Sequence, residues 1–272
     1  MDPIAPQPSP ADGEEEIALA GGMGSDGQVV RVGDTVRRPW RPESDTVHAF
    51  LDHLHRVGFE GAPRHLRTDD QGRAVLTWLE GDVGVPPFPD WTTDEALLVS
   101  VAQLQRRLHE ASATFVPAPD ATWQVANLPP PGPGAIWCHN DLCIENVVVR
   151  GGRAVAFIDF DFLAPADPLI DIAIAARHWV PVRAAADLEP NRQDLDQVAR
   201  FRTFCEVHEL TKAQRSRVVA AGMDFLDRAL VTMKDRADSG LRLYVAAWEG
   251  GYADQNRRSH AWLRDHADAI AR

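Results

Sequence analysis

The sequence is poor in cysteine and has no long apolar run, and each deficit excludes a class of protein. The 272 residues include only three cysteines, Cys138, Cys143 and Cys205, too few for a disulfide framework, and their spacing matches no zinc site. No apolar run is long enough to cross a bilayer, and the first residues lack the basic and apolar regions of a signal peptide. We therefore expect a cytoplasmic protein with no membrane partner, in which the cysteines are core residues.

Basic residues are also in deficit. Asp and Glu number 40 against 28 Lys and Arg, which gives a formal net charge of −12 at pH 7. Such a chain is unsuited to a nucleic-acid partner and would attract a cationic ligand. Hydrophobic residues make up 44% of the chain, which is enough for a folded core. The 272 residues can form one large domain or two lobes around a cleft.

The most informative stretch is residues 136–161, in which apolar strands alternate with polar loops. Asp141 and Asn146 bracket a short loop between two strands, and Asp159 ends the strand that follows. Burying carboxylates between apolar strands costs free energy unless a cation compensates. A hard cation such as Mg²⁺ binds carboxylate and amide oxygens and keeps other positions for water and phosphate. The spacing therefore suits one divalent cation beside a hydroxyl that awaits deprotonation.

Two motifs in this stretch resemble those of the aminoglycoside phosphotransferase and choline kinase superfamily. They are H-x-D-x4-N at positions 139–146 and I-D-x-D at positions 158–161. An ordinary β-meander could carry one of them, but two in this order and at this separation favour the superfamily. The resemblance implies an α+β, bilobal protein-kinase-like fold with a small N-terminal antiparallel β lobe and a larger, mainly helical C-terminal lobe.

The resemblance also implies a role for each polar residue of the two motifs. Asp141 is expected to be the catalytic base, and Asn146 and Asp159 the ligands of Mg²⁺. Asp161 would hold a second ion or order the ligands of the first. His139 would anchor the loop by hydrogen bonding and take no part in proton transfer.

A helix is predicted to begin just after this stretch, with Asp167 as its cap and Pro168 at its first position. Asp171 lies in a D-I-A context similar to that of the superfamily's buried Asp, which implies support of the catalytic loop backbone. Composition and periodicity predict further helices at residues 94–113, 193–210, 212–234 and 241–271.

Near the N-terminus, Gly22, Gly24 and Gly27 satisfy G-x-G-x-x-G. A dinucleotide-binding fold would need a helix directly after them, whereas a β-branched run follows at residues 28–32. Strand, glycine turn and strand are typical of a kinase flap over nucleotide phosphates, because backbone N–H groups can approach closely where side chains are missing. Ser25 could add a hydroxyl donor. A flexible glycine linker is the alternative interpretation.

The next strand should carry a cation for the nucleotide phosphates. Superfamily members usually place Lys there, whereas this sequence offers Arg37 and Arg38. By resemblance to relatives with a V-x-R-R-P ending, Arg37 is the first choice and Arg38 the alternative. The following helix has no Glu at the matching turn, and Asp52 is a candidate partner for Arg37.

A hairpin is predicted at residues 66–79, and the chain then leaves the small lobe. In the superfamily this connector binds the adenine, which implies nucleotide contacts at Thr77 and Leu79. We divide the chain into a flexible tail, an N-lobe and a C-lobe, at residues 1–13, 14–80 and 81–272.

The resemblance implies an ATP- or GTP-dependent phosphotransferase, with a nucleotide triphosphate and a small hydroxyl acceptor as its partners. The acidic composition favours a cationic acceptor. We expect an aminoglycoside-like or other antibiotic, with Glu145 and Glu249 as its contacts.

Two alternatives differ from this reading. One is a kinase of choline, an amino alcohol or another small metabolite, with aromatic walls from Trp179, Trp248 or Tyr252. The other is a catalytically silent kinase-fold protein that confers immunity by binding. Arg at the strand position favours the silent protein, whereas intact Asp141 and Asn146 favour the enzyme.

Overall fold

The computed structural model describes residues 15–19, 28–124 and 127–272. The predicted tail at residues 1–13 lies outside these ranges. The fold class is confirmed: a small antiparallel β lobe precedes a larger, mainly helical lobe, and the described residues form seven α-helices and three antiparallel sheets.

The small lobe is built on one five-stranded antiparallel sheet with the order β1-β2-β3-β5-β4. β-branched and apolar residues alternate with basic residues along several of its strands, and the strand expected to carry the cation is Thr35–Arg38. Its elements are β1 (Ile17–Ala18), β2 (Val30–Val32), β3 (Thr35–Arg38), α1 (Ser44–Arg56), β4 (His65–Thr68) and β5 (Ala74–Thr77).

Helix α1 buries one apolar stripe against the rest of the protein. Phe50, Leu51 and Leu54 on this stripe are each at most 2% exposed. Their spacing of one, three and four residues places them on one side of the helix. Asp52 lies on the other side and is exposed.

The connector between the lobes is pressed against the large lobe. Asp82 forms an isolated antiparallel bridge with Val149, with both N–O distances at 2.8 Å. The preceding Gly81 has φ +147°, and a Cβ there would lie 2.6 Å from the Val149 carbonyl oxygen. Glycine is therefore required at this position by both conformation and space.

The large lobe surrounds two short hairpin-like sheets with helices. β6 pairs with β9, a strand that sequence reasoning missed, and β7 pairs with β8. Its elements are α2 (Glu95–Ser112), β6 (Ile136–Cys138), β7 (Val147–Arg150), β8 (Arg153–Phe157), β9 (Ala164–Ala166), α3 (Pro168–Trp179), α4 (Gln197–Val207), α5 (Lys212–Asp238), α6 (Arg242–Glu249) and α7 (Tyr252–Ala271).

The helix predicted at residues 241–271 is two helices. Gly251 has φ +90°, which α-helical geometry does not allow, so the chain turns between α6 and α7. By contrast, α3 starts as predicted: the Asp167 carboxylate accepts a hydrogen bond from the Leu169 N–H at 3.0 Å.

One apolar core runs through the protein, with α2 at its centre. Leu98, Val101 and Leu108 of α2 are fully buried, and Phe157 and Trp179 continue the same core. Burying a side chain of this size contributes about 1.5–3 kcal/mol. The core therefore fixes the strands and the helix that carry the polar loop between β6 and β7.

The cysteines are free thiols, as expected. Cys138 and Cys205 are buried, and Cys143 is half-buried. No helix among the described residues has the length and apolar character that crossing a membrane requires.

Asp171 joins α3 and α2 to the loop after β6. Its carboxylate is fully buried and accepts hydrogen bonds from the Asn140 N–H at 2.7 Å and from Gln105 Nε2 at 2.9 Å. His109 Nε2 lies 2.7 Å from the same carboxylate. Burial raises the pKa of Asp171, but the hydrogen bond and charge of His109 outweigh it and hold the pKa below its usual value.

Asp171→Ala should lower the free energy of unfolding by about 3 kcal/mol, because the buried Asn140 N–H would lose its acceptor. Urea denaturation followed by tryptophan fluorescence measures the change. The exposed Asp52→Ala is the matched control and should change stability by less than about 0.5 kcal/mol. Equal stabilities for the two variants would show that Asp171 does not hold the loop.

Candidate active site

The loop between β6 and β7 is held in a strained shape. Asn140 has φ +59°, a left-handed conformation that is uncommon for a residue other than glycine. Its Nδ2 donates hydrogen bonds to the carbonyl oxygens of Cys138, Phe162 and Ala164 at 2.9, 3.1 and 3.2 Å. These contacts tie the loop to β9 and to the turn after β8, so its shape is fixed before any ligand binds.

Two further side chains anchor the same loop from below. His139 is fully buried, and its Nε2 lies 2.9 Å from the Ile158 carbonyl oxygen. Burial lowers the pKa of His139, so the ring is neutral and donates this hydrogen bond through Nε2–H. Trp179 Nε1 donates to the Leu142 carbonyl oxygen at 3.1 Å. His139 therefore lies where the resemblance implied, as a support enclosed in protein.

Asp141 and Asn146 face each other across the loop. Asn146 Nδ2 donates to the Asp141 main-chain oxygen at 2.8 Å and to Asp141 Oδ2 at 3.0 Å. Burial, followed by the nearby charge of Asp159, raises the pKa of Asp141 to about 7. A carboxylate whose pKa lies near neutrality is suited to accept a proton from a hydroxyl. The Asn146 hydrogen bonds use its nitrogen, so its Oδ1 is the atom that can face a cation.

Asp159 and Asp161 share one arginine. Arg38 Nη2 lies 3.0 Å from Asp159 Oδ1 and 2.9 Å from Asp161 Oδ1. Arg41 Nη1 lies 3.3 Å from Asp161 Oδ2. Burial raises the pKa of Asp159, but the charge of Arg38 outweighs it and the pKa is lowered, whereas burial raises the pKa of Asp161 to about 6. Asp159 is therefore the more fully ionised of the two acids.

The oxygen atoms in this corner fit the donor set of a hard divalent cation. Asn146 offers an amide oxygen, and Asp159 offers the carboxylate oxygen that Arg38 does not contact. Such atoms are preferred by Mg²⁺ and Ca²⁺. Asp161 contacts an arginine through each of its oxygens, so it is suited to ordering Arg38 and Arg41.

A separate group, His109, Cys138 and Asp171, has ligand atoms within 4.8 Å of one another. Asp171 already accepts hydrogen bonds from three groups, and Cys138 Sγ donates to the Ala166 carbonyl oxygen at 3.8 Å. These contacts account for the group as part of the loop's support.

The structure reverses the order of preference between the two β3 arginines. Adjacent residues of a strand point to opposite faces, so one arginine at most can face the acids. Arg38 does so, whereas Arg37 is 2% exposed with its Nε 3.8 Å from Asp69 Oδ2. Asp52, considered as the partner of Arg37, is exposed on α1.

An apolar cleft lies between the β3–β5 sheet and the large lobe. Thr77 and Leu79, predicted to contact a nucleotide, both line it. Its apolar walls suit a flat base. The predicted phosphate-binding residues Gly22, Gly24, Ser25 and Gly27 lie outside the described residues. The cleft's remaining walls include Val36, Leu76, Val83, Val148 and Ile158.

A second cavity opens beside this cleft. Asp141, Asn146 and Asp159 all line it, so the structure brings together the three groups that the motifs singled out. Glu145 lies at the junction and lines both spaces. Glu249, the other predicted substrate contact, is exposed at the end of α6 and is not among the lining residues, which corrects its assignment.

Sequence reasoning considered Tyr252 but missed the rest of the far wall of this cavity. Arg177, Arg183 and Arg236 line it together with Tyr244 and Tyr252. One signal was present: Arg177 interrupts an apolar run of α3, where a charged residue needs a specific partner. The other wall residues come from distant parts of the chain, and no local pattern joins them.

Of the aromatic residues considered for a choline-like site, only Tyr252 lines the cavity. Trp179 is fully buried in the core. Trp248 lies beside Lys234, whose Nζ is 5.6 Å from the ring centroid.

Comparison with known proteins agrees with the resemblance inferred from the two motifs. The model of the phosphotransferase enzyme family matches residues 119–204, a segment that contains both motifs. The trifolitoxin immunity protein of Rhizobium leguminosarum bv. trifolii is 29% identical over 272 residues, covering 94% of this chain and 97% of that protein.

Solved structures of low identity share the fold. A choline/ethanolamine kinase family protein from Mesorhizobium loti has a TM-score of 0.62 at 15% identity, covering 94% of this chain and 92% of that one. An aminoglycoside phosphotransferase from Alicyclobacillus acidocaldarius has a TM-score of 0.52 at 15% identity, covering 88% and 90%. Amicoumacin kinase in complex with AMP-PNP, Ca²⁺ and Ami has a TM-score of 0.58 at 13% identity, covering 93% and 88%. These structures confirm the protein-kinase-like fold, and the family model at residues 119–204 agrees with the resemblance that the two motifs show.

Proposed function

We propose that this protein is a phosphotransferase that moves the γ-phosphate of ATP or GTP to a hydroxyl of a small molecule. The observation that supports it best is the meeting of Asp141, Asn146 and Asp159 in one cavity beside an apolar cleft. Such a transfer requires a proton acceptor, oxygen ligands for a cation and a cleft that accommodates the base of the nucleotide.

The nucleotide would lie in the cleft with its base against the β5 connector. Thr77 and Leu79 line this part, and Arg38 lies at the end of the cleft nearest the acids. Mg²⁺, when bound by Asn146 and Asp159, supplies neutralisation of the phosphate charge. Arg38 contributes a second positive charge toward the phosphates and takes the position at which relatives usually carry Lys.

Asp141 would orient the acceptor hydroxyl and take its proton. As the acceptor oxygen bonds to the γ-phosphorus, the bond from that phosphorus to the β–γ bridging oxygen breaks and the nucleoside diphosphate leaves. The transition state is loose, so positioning and charge neutralisation contribute more than the strength of the base. The rigid Asn140 conformation and the Asp171 contact serve this positioning.

For the acceptor, the sequence favoured an aminoglycoside-like or other antibiotic, with choline or another metabolite as the alternative. Both classes of kinase occur among the structures that share the fold.

A second candidate function is immunity by binding, without phosphoryl transfer. Two observations favour it: the similarity to the trifolitoxin immunity protein, and the double contact of Arg38 with Asp159 and Asp161. Such a protein would bind a nucleotide or a toxin in the same two cavities. Metal-dependent formation of ADP separates the two candidates.

Asp141→Asn should reduce phosphoryl transfer by at least about 100-fold, because the hydroxyl proton loses its acceptor. Nucleotide affinity should change by no more than about twofold, since Asp141 does not line the nucleotide cleft. A coupled assay of ADP release over a panel of hydroxyl compounds, with calorimetric titration of ATP, measures both quantities. Asp52→Asn is the control. Near-full transfer by Asp141→Asn would remove Asp141 as the base, and failure of the wild type to release ADP with Mg²⁺ would favour the silent protein.

Arg38→Gln and Arg37→Gln should separate the two β3 arginines. The first should weaken ATP binding by at least about tenfold, because it removes the charge facing the phosphates. The second should lower the free energy of unfolding, because it removes a buried group beside Asp69, and should leave ATP affinity within about threefold of wild type. Calorimetry and urea denaturation give the two readouts. The opposite pattern would restore Arg37 as the phosphate-binding residue.

A further inference from the structure

The larger cavity is lined by both carboxylates and arginines. Its carboxylates lie at the end that adjoins the nucleotide cleft. The far wall, hereafter the arginine wall, consists of Arg177, Arg183 and Arg236 with Tyr244 and Tyr252. It forms where the C-terminal part of α3 and the loop after it meet α5, α6 and α7.

Arg177 is the residue that α3 contributes to the arginine wall. Its Nε is inaccessible to solvent and has no hydrogen-bond partner among the described residues. Burial lowers the pKa of Arg177, and the nearby charge of Arg183 lowers it further, whereas Tyr252 and Asp141 act in the opposite direction. A buried guanidinium with an unused donor is costly for a protein. The charges of Arg177 and Asp141 therefore interact across the cavity.

Arg183 and Arg236, the other two arginines of the wall, form no ion pair with an acidic side chain of the described residues. Within the described residues, no carboxylate oxygen lies within 4.0 Å of the side-chain nitrogens of Arg177, Arg183 or Arg236. Arg236 donates to the Tyr244 hydroxyl, and its guanidinium carbon lies 4.9 Å from the Tyr244 ring centroid. Arg258 of the same lobe is paired with Asp187 at 2.7 Å, whereas the buried Arg200 donates to the carbonyl oxygens of Val180, Thr93 and Trp179.

The nucleotide cannot account for the arginine wall. The cleft that fits a base shares Arg38, Glu145, Asn146 and Asp159 with the cavity, and none of the three wall arginines lines it. Phosphates extending from that cleft meet Arg38 first. The wall therefore faces whatever occupies the acceptor side.

We propose that the acceptor carries an anionic oxyacid group, a carboxylate or a phosphate, which binds the arginine wall while its hydroxyl lies at Asp141. This inference rests on the proposed function. Guanidinium groups match the planar or tetrahedral oxygens of these anions and hydrogen-bond them in pairs. Tyr244 and Tyr252 supply further hydroxyl groups at the same wall. A polycationic aminoglycoside would bring its charges against this wall and is disfavoured.

Four compounds with one hexose-type skeleton can test the sign of the charge. Gluconate carries a carboxylate, glucose 6-phosphate a phosphate, glucose no charge and glucosamine a positive charge. Each is titrated calorimetrically into the full-length protein with and without ADP and Mg²⁺. At least one anion should bind about tenfold or more tightly than glucose, and glucosamine no more tightly than glucose. The order of the two anions distinguishes a carboxylate site from a phosphate site.

Arg183→Gln and Arg236→Gln should each reduce the affinity for the preferred anion by at least about threefold, and the double variant should abolish the preference over glucose. Arg242→Gln is the matched control, because Arg242 is exposed on α6 and is not among the residues that line the cavity. It should retain the wild-type preference.

Three results would overturn the inference: glucosamine binding as tightly as the anions, an unchanged preference in the double variant, or no binding of either anion. Titration of ATP with Mg²⁺ on the same samples separates this failure from that of the proposed function. If the protein binds ATP normally but shows no preference for the anions, the result contradicts the proposed role of the arginine wall and leaves the proposed function intact. Anion preference in a protein that never forms ADP contradicts phosphoryl transfer alone.

Discussion

The site depends on one buried carboxylate, Asp171, which holds the loop that carries Asp141. A loop bent through a left-handed Asn140 is unfavourable by itself, and its backbone N–H would be buried without an acceptor. Asp171 supplies that acceptor from α3, and His109 and Gln105 stabilise its ionised form from α2. The helical core therefore fixes the geometry of the loop in advance, which is what a reaction dependent on positioning requires.

Features that depend on residues close together in the sequence could be predicted from the sequence. The motifs located the loop and the strand ends, and Asp167 with Pro168 located the start of α3. To choose between Arg37 and Arg38 one must know which face of the sheet each side chain points to. A shift of one residue in the register exchanges the two faces. The pairing of Arg37 with Val75 on the neighbouring strand determines which face Arg37 occupies. No local sequence pattern reveals this pairing.

The net charge of the chain and the lining of the cavity indicate acceptors of opposite charge. A net charge of −12 favoured a cationic acceptor, yet the far wall of the cavity is lined by Arg177, Arg183 and Arg236. Acidic residues on the surface are screened over roughly 10 Å at 0.1 M salt, so they contribute little inside a cavity. The wall is assembled from α3, the following loop and α5, and sequence reasoning could not bring these segments together.

The central claim is that Asp141, Asn146 and Asp159 surround one magnesium and one acceptor hydroxyl. A crystal structure with a non-hydrolysable ATP analogue and Mg²⁺ tests it most directly. The account predicts the ion bound to Asn146 Oδ1 and to an Asp159 oxygen, with Asp141 facing the γ-phosphate from the acceptor cavity. An ion held elsewhere, with Asp159 contacting only Arg38, would contradict the account.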